Sequence, residues 1–157
     1  MACCAKWSEP RTLVNAIMVD RPSGRSIWWR LINGSTADAK AAFSAAIAQI
    51  RMKDQRGTAP TPGIIVITGP TAVGKTDLAI ELARRFPVCL ISVDSGQVYR
   101  ELDIGTAKPN RAILREFPHA MINLRSVRES YSVAEFCCSA SQVIRKSIAE
   151  GQIPLLV

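Results

Sequence analysis

The sequence predicts an α/β fold, a parallel sheet flanked by helices, and three observations carry that expectation. A glycine-rich phosphate-loop pattern lies between a short β-branched run and a helix-forming segment. Apolar runs of strand length then alternate with segments of helical period, and the chain closes on one more apolar run.

Ile64 to Thr68 is the first strand, and Lys75 to Phe86 a helix that must stop before Pro87. Val88 to Val93 reads as a second buried strand and Met121 to Leu124 as a third. Ser132 to Glu150 is a long helix ended by Gly151, with Val133, Phe136, Val143, Ile144 and Ile148 following a helical period. Ile153 to Val157 begins a further strand. Strands separated by helices require crossovers, which place helices on both faces of the sheet.

Upstream, Gly57 to Gly63 (Gly-Thr-Ala-Pro-Thr-Pro-Gly) has linker composition and divides the chain into residues 1 to 60 and a domain at 61 to 157. The first part shows one periodic segment, an Ala-rich stretch near 36 to 52 with Phe43, Ile47 and Ile50, read as a helix. Residues 1 to 35 lack a period and read as an appended, poorly ordered tail in preference to a targeting peptide. Trp28-Trp29-Arg30 has the composition of a base-stacking patch, but belongs to that unpatterned tail.

The chain has 157 residues, enough for one domain, and carries a formal charge of +7. Residues 1 to 60 hold nine basic and four acidic side chains (+5), and residues 61 to 157 hold eleven and nine (+2). A basic balance favours encounter with anions and nucleic acid without defining a site. No apolar run reaches the ~18 residues a membrane span needs. The five cysteines lack a C-x-x-C spacing and there is one histidine, which argues against a zinc site or disulfide framework and for a reducing compartment.

Gly69-Pro70-Thr71-Ala72-Val73-Gly74-Lys75-Thr76 matches G-x-x-x-x-G-K-[ST] in the strand-to-helix context the motif needs, which makes the fold P-loop NTPase-like. Glycines allow successive backbone N–H groups to point at phosphate oxygens, and the helix that follows adds the positive end of its dipole. Lys75 supplies a full charge, and the Thr76 hydroxyl is placed to ligate a magnesium ion bridging the phosphates. Asp94 follows the second strand, and the carboxyl ends of neighbouring parallel strands open onto one crevice. It reads either as a general base or magnesium partner in that crevice, or as a turn aspartate. His119 reads as structural, and Tyr131 and Phe136 as packing residues.

Asp94-Ser95-Gly96-Gln97-Val98-Tyr99, followed by Asp103-Ile104-Gly105-Thr106-Ala107-Lys108-Pro109, closely resembles the bacterial tRNA dimethylallyltransferase family. Pro118-His119, Tyr131-Ser132 with Phe136, and Gly151 to Val157 resemble later landmarks in the same order, so the likeness covers about residues 63 to 157. It implies that the P-loop holds the diphosphate of dimethylallyl diphosphate, and that the exocyclic amine of an adenosine next to the tRNA anticodon attacks the allylic carbon. Lys75 and the loop amides would then meet the diphosphate, Thr76 would hold Mg2+, and Thr71 and Asp94 would contact the amine, Asp94 as base. Asp94, Ser95, Gly96 and Gln97 would also touch the tRNA anticodon loop.

The resemblance further implies a cytoplasmic enzyme, monomeric at full length. Asn123 stands where the family usually has aspartate, Gly96 at a variable position, and the chain stops at Val157 before a Gly-Gly-Thr loop, a helical tRNA-binding insert and a later arginine. The expectation is therefore a truncated N-terminal portion, inactive alone. The rival readings are a small-molecule P-loop kinase, with Asp94 as metal ligand or base, and a non-catalytic fragment that binds diphosphate or RNA.

Overall fold

The computed structural model describes residues 63–69 and 74–157, the backbone of two strands at 15–20 and 27–31, and residues 41, 44 and 45. In chain order the elements are β1 (Asn15–Asp20), β2 (Ile27–Leu31), β3 (Ile64–Thr68), α1 (Lys75–Ala83), β4 (Val88–Ile91), α2 (Arg111–Glu116), β5 (His119–Ala120), α3 (Val133–Ala149) and β6 (Ile153–Leu156). One six-stranded sheet runs β2-β1-β3-β6-β4-β5. Its four-strand part is parallel: β3 pairs β6, β6 pairs β4 and β4 pairs β5.

Alternation along the strands divides the core between two faces. Ile65, Ile67, Leu90 and Leu155 pack with Leu78, Ala79 and Leu82 of α1 on one face. Ile91, one residue beyond Leu90, faces the other way with Met121 and Ala140, and Leu156, Phe136, Tyr131, Val143 and Ile144 pack against that second cluster. Helices α1 and α3 thus cover opposite faces, which is the layered α/β arrangement expected from the alternating pattern.

Local sequence sets the helix ends. Gly74 caps α1 at φ +83°, a left-handed conformation that glycine adopts without steric cost. Ser132 caps α3 through a capping box: its hydroxyl accepts from Glu135 N–H (3.2 Å) while the Glu135 carboxylate accepts from Ser132 N–H (2.8 Å). Replacing Ser132 by alanine is expected to destabilise the fold by about 1 kcal/mol, read as a lower urea midpoint with unchanged slope; an unshifted midpoint would show that the cap contributes nothing.

The structure differs from the sequence reading at three places. The third strand is His119–Ala120, not Met121 to Leu124, because Met121 (φ +68°) and Asn123 (φ +58°) turn left-handed and cannot continue a strand. A six-residue helix, α2, was not expected; Asn110 caps it, its Oδ1 accepting from Ile113 N–H at 2.9 Å. Within residues 1 to 35, read as a tail apart from the domain, β1 instead pairs antiparallel with both β2 and β3. The β-branched Ile17 and Val19 of β1 and Ile27, Trp28 and Trp29 of β2 suit a pleated ladder, and the open edge of β3 supplies the partner backbone. Of the helix expected near 36 to 52, residues 41, 44 and 45 are described and helical; the others, and the linker before Gly63, lie outside the described residues.

Candidate phosphate-binding active site

The P-loop strand delivers its loop to the carboxyl edge of the sheet, and β4, two strands away across β6, ends at the same edge. A cleft of about 580 Å3 at this edge is lined by Gly74, Lys75, Thr76, Ser92, Asp94 and Gln97, together with Lys108, Asn110 and His119. Lys75 Nζ donates to the Gly69 carbonyl at 3.0 Å. Pro70, Thr71, Ala72 and Val73 lie outside the described residues.

Asp94 sits in a turn and also lines the cleft. Its Oδ1 accepts from Gly96 N–H (2.7 Å) and Gln97 N–H (3.3 Å), the geometry of a turn aspartate, and Asp94 lines the same cleft as Lys75. The turn fixes the carboxylate's direction, which a positioned base requires. Gly96 fits tightly there: a Cβ would stand 3.0 Å from Thr106 Cγ2 and 3.2 Å from Asp94 Oδ1.

Gln97 works inside the fold. Its side chain is buried; Oε1 accepts from Ser92 Oγ (3.0 Å) and Nε2 donates to the Thr106 carbonyl (3.1 Å). These bonds tie the end of β4, the Asp94 turn and the 99–108 loop together. Gln97→Leu keeps the volume but leaves the buried Ser92 hydroxyl and the Thr106 carbonyl without this partner. The expected loss is about 1–3 kcal/mol, measured by urea unfolding; a change within error would mean that the amide is dispensable. Ser95 and Gly96 are not among the cleft-lining residues, whereas Asp94 and Gln97 are.

Lys108 was legible in the sequence only as part of a family block, and the structure makes it the cleft's inner wall. Its side chain is 3% exposed, and Nζ donates to Tyr99 O (2.7 Å), Asp103 Oδ1 (2.8 Å) and Asn123 Oδ1 (3.0 Å). The hydrogen bond from Lys108, then its charge, hold the Asp103 carboxyl below the ordinary aspartate range. His119, read as structural, also borders the cleft. Burial pushes its imidazole pKa down, against the opposing hydrogen bond of Nδ1 with Phe117 O at 2.7 Å. Tyr131 packs against the second core cluster with the Arg125 guanidinium 5.5 Å above its ring, as its packing role requires.

A divalent cation fits this donor set in one manner. Among the described residues no group of three His, Cys, Asp or Glu side chains is arranged to hold a metal. Thr76 and Asp94 in one cleft suit magnesium, which keeps waters and takes ligands from substrate phosphates in preference to an all-protein cage. The described cysteines, Cys89, Cys137 and Cys138, are free thiols. Among the described residues no helix is long and apolar enough to cross a membrane.

A parallel sheet whose first parallel strand leads into a G-x-x-x-x-G-K-T sequence and a helix defines a P-loop NTPase-like protein of the α/β class. Residues 97–157 match the family model described as IPP transferase. The tRNA dimethylallyltransferase of Dichelobacter nodosus is 55% identical over 94 residues, which is 60% of this chain and 30% of that protein. That of Nitrosomonas eutropha is 55% identical over 97 residues, 62% of this chain and 31% of the relative.

Two bacterial structures share the fold. The tRNA delta(2)-isopentenylpyrophosphate transferase of Staphylococcus epidermidis superposes with a TM-score of 0.53 at 41% identity, covering 56% of this chain and 29% of that one. The tRNA isopentenylpyrophosphate transferase of Bacillus halodurans gives 0.54 at 44%, covering 59% and 30%. The matched part of the chain is thus similar in sequence and in fold to part of the tRNA dimethylallyltransferases. The chain spans about three tenths of the length of the curated relatives it matches.

Proposed function

We propose that this chain supplies the diphosphate-holding and proton-accepting half of a cytoplasmic tRNA dimethylallyltransferase site. The observation that supports the reading is that Lys75 and Thr76 line one cleft with Asp94. Dimethylallyl diphosphate occupies the P-loop through its diphosphate, and an adenosine beside the tRNA anticodon presents its exocyclic amine to Asp94 and Thr71. A new C–N bond forms at the allylic carbon as the C–O bond breaks. The electron pair leaves with diphosphate, and the amine's proton passes to the Asp94 carboxylate. Lys75 and the loop N–H groups meet charge as it develops on the leaving group. Magnesium, when bound, would add positive charge at the diphosphate oxygens, with Thr76 as its protein ligand. A base inside an anticodon loop leaves its stack to enter such a cleft.

Thermal unfolding of the chain with magnesium tests the substrate class. Dimethylallyl diphosphate is expected to raise the melting temperature more than ATP does at equal concentration, because binding to the native state alone stabilises it in proportion to affinity. Stronger protection by ATP would favour a kinase. The chain by itself is proposed to bind without turnover, and transfer of a dimethylallyl group to tRNA by residues 1 to 157 alone would contradict that.

A further inference from the structure

A second cavity, of about 690 Å3, opens beside the P-loop cleft and shares a wall with it at Lys108, Pro109 and Asn110. Its lining brings Arg100, Arg111 and Arg115 together against one carboxylate, Asp103. That carboxylate is already paired with the buried Lys108 ammonium at 2.8 Å. Lys108 and Asp103 therefore cancel, although Arg111 also acts on Asp103. The excess charge in the cavity is that of the arginines.

The three guanidiniums are held in different ways. Arg100 Nε donates to Asn123 O (3.1 Å) and Nη2 to Leu124 O (3.2 Å), which fixes the plane of the group and leaves further N–H donors of the fork to point elsewhere. Arg111 and Arg115 stand four residues apart on α2, one turn, and so share a helix face. The wall they face is rigid, since Lys108 joins Tyr99, Asp103 and Asn123. A planar arginine fork matches the oxygens of a phosphate better than a point charge does.

We propose that this cavity binds a backbone phosphate of the RNA strand flanking the nucleotide that enters the P-loop cleft. The inference rests on the transferase reading. A diphosphate substrate fills the P-loop, so an adjoining arginine cavity is left for the partner that carries repeated phosphates. An extruded nucleotide needs its backbone held beside the pocket, and phosphate contacts supply that register.

The test uses the whole chain, a labelled anticodon stem-loop RNA and a salt series, with Arg111→Gln/Arg115→Gln as the variant. Each phosphate neutralised on single-stranded RNA contributes about 0.7 to the slope of log K against log salt, so the double variant, which loses the one phosphate, should bind more weakly with a slope shallower by about 0.7. Protection from thermal unfolding by magnesium pyrophosphate should be unchanged, which also reports that the variant folds. Should the double variant not fold, Arg115→Gln alone should weaken RNA binding and make the slope shallower, by up to about 0.7. RNA binding with equal affinity and slope in parent and variant overturns this inference and leaves the transferase reading standing. Failure of the parent to bind RNA overturns both. Protection by inorganic phosphate that is lost in the variant while RNA binding is unaltered would assign the cavity to a free anion and overturn the RNA assignment.

Discussion

Asp94→Asn, placed in a protein that carries this segment together with the remaining length of its relatives, is expected to lower kcat by about 10²- to 10⁴-fold. Affinity for dimethylallyl diphosphate should change little. Asparagine keeps the shape of the side chain, and its carbonyl oxygen can still accept from Gly96 N–H and Gln97 N–H, the two bonds that Asp94 Oδ1 makes at 2.7 and 3.3 Å. What it removes is the ability to take a proton from an aryl amine, a weak nucleophile. The loss should therefore appear in the chemical step, and single-turnover rates separate it from binding. If Asp94→Asn instead abolished magnesium-dependent diphosphate binding and spared the single-turnover rate, Asp94 would be a metal partner.

Lys75→Ala should produce a different defect, with both substrate affinity and kcat falling. The ammonium lies 3.0 Å from the Gly69 carbonyl, and in the proposed reaction it would meet the diphosphate both before and during departure. An interaction present in ground and transition states lowers the dissociation constant, and the part that strengthens as charge develops raises kcat. Isothermal titration with dimethylallyl diphosphate, beside steady-state rates, resolves the two. A variant with unaltered affinity would place the lysine outside the phosphate site.

The elements legible in the sequence are those whose signals are local. The P-loop fits within eight residues, and the run before it and the helix after it complete the context. The long helix read from Ser132 begins there as α3, with Ser132 as its N-cap in a capping box with Glu135. Strand β5 was displaced because the left-handed turns at Met121 and Asn123 are held by tertiary bonds, Asn123 N–H to Gln97 O among them. No local pattern announces that. The pairing of β1 with β3 is also non-local, joining Ile17 to Ile67 across the linker.

In the site, the motif and the strand-end rule were enough to bring Lys75, Thr76 and Asp94 into one cleft. Lys108 could not be placed, because lysine is almost never buried unless paired, and its acceptors come from residues 99, 103 and 123. Gln97 was read as facing RNA, and only the structure places its amide between Ser92 and Thr106.

The central claim is that this segment presents dimethylallyl diphosphate to a tRNA adenosine. The most direct measurement joins residues 63–157 to the remaining length of the Dichelobacter nodosus relative, of which this chain covers 30%, and follows label from dimethylallyl diphosphate into an anticodon stem-loop. The account predicts label on the exocyclic amine of the adenosine beside the anticodon, lost with Asp94→Asn. A folded, diphosphate-binding chimaera that leaves the adenosine unmodified, or that transfers a phosphoryl group from ATP, would contradict it.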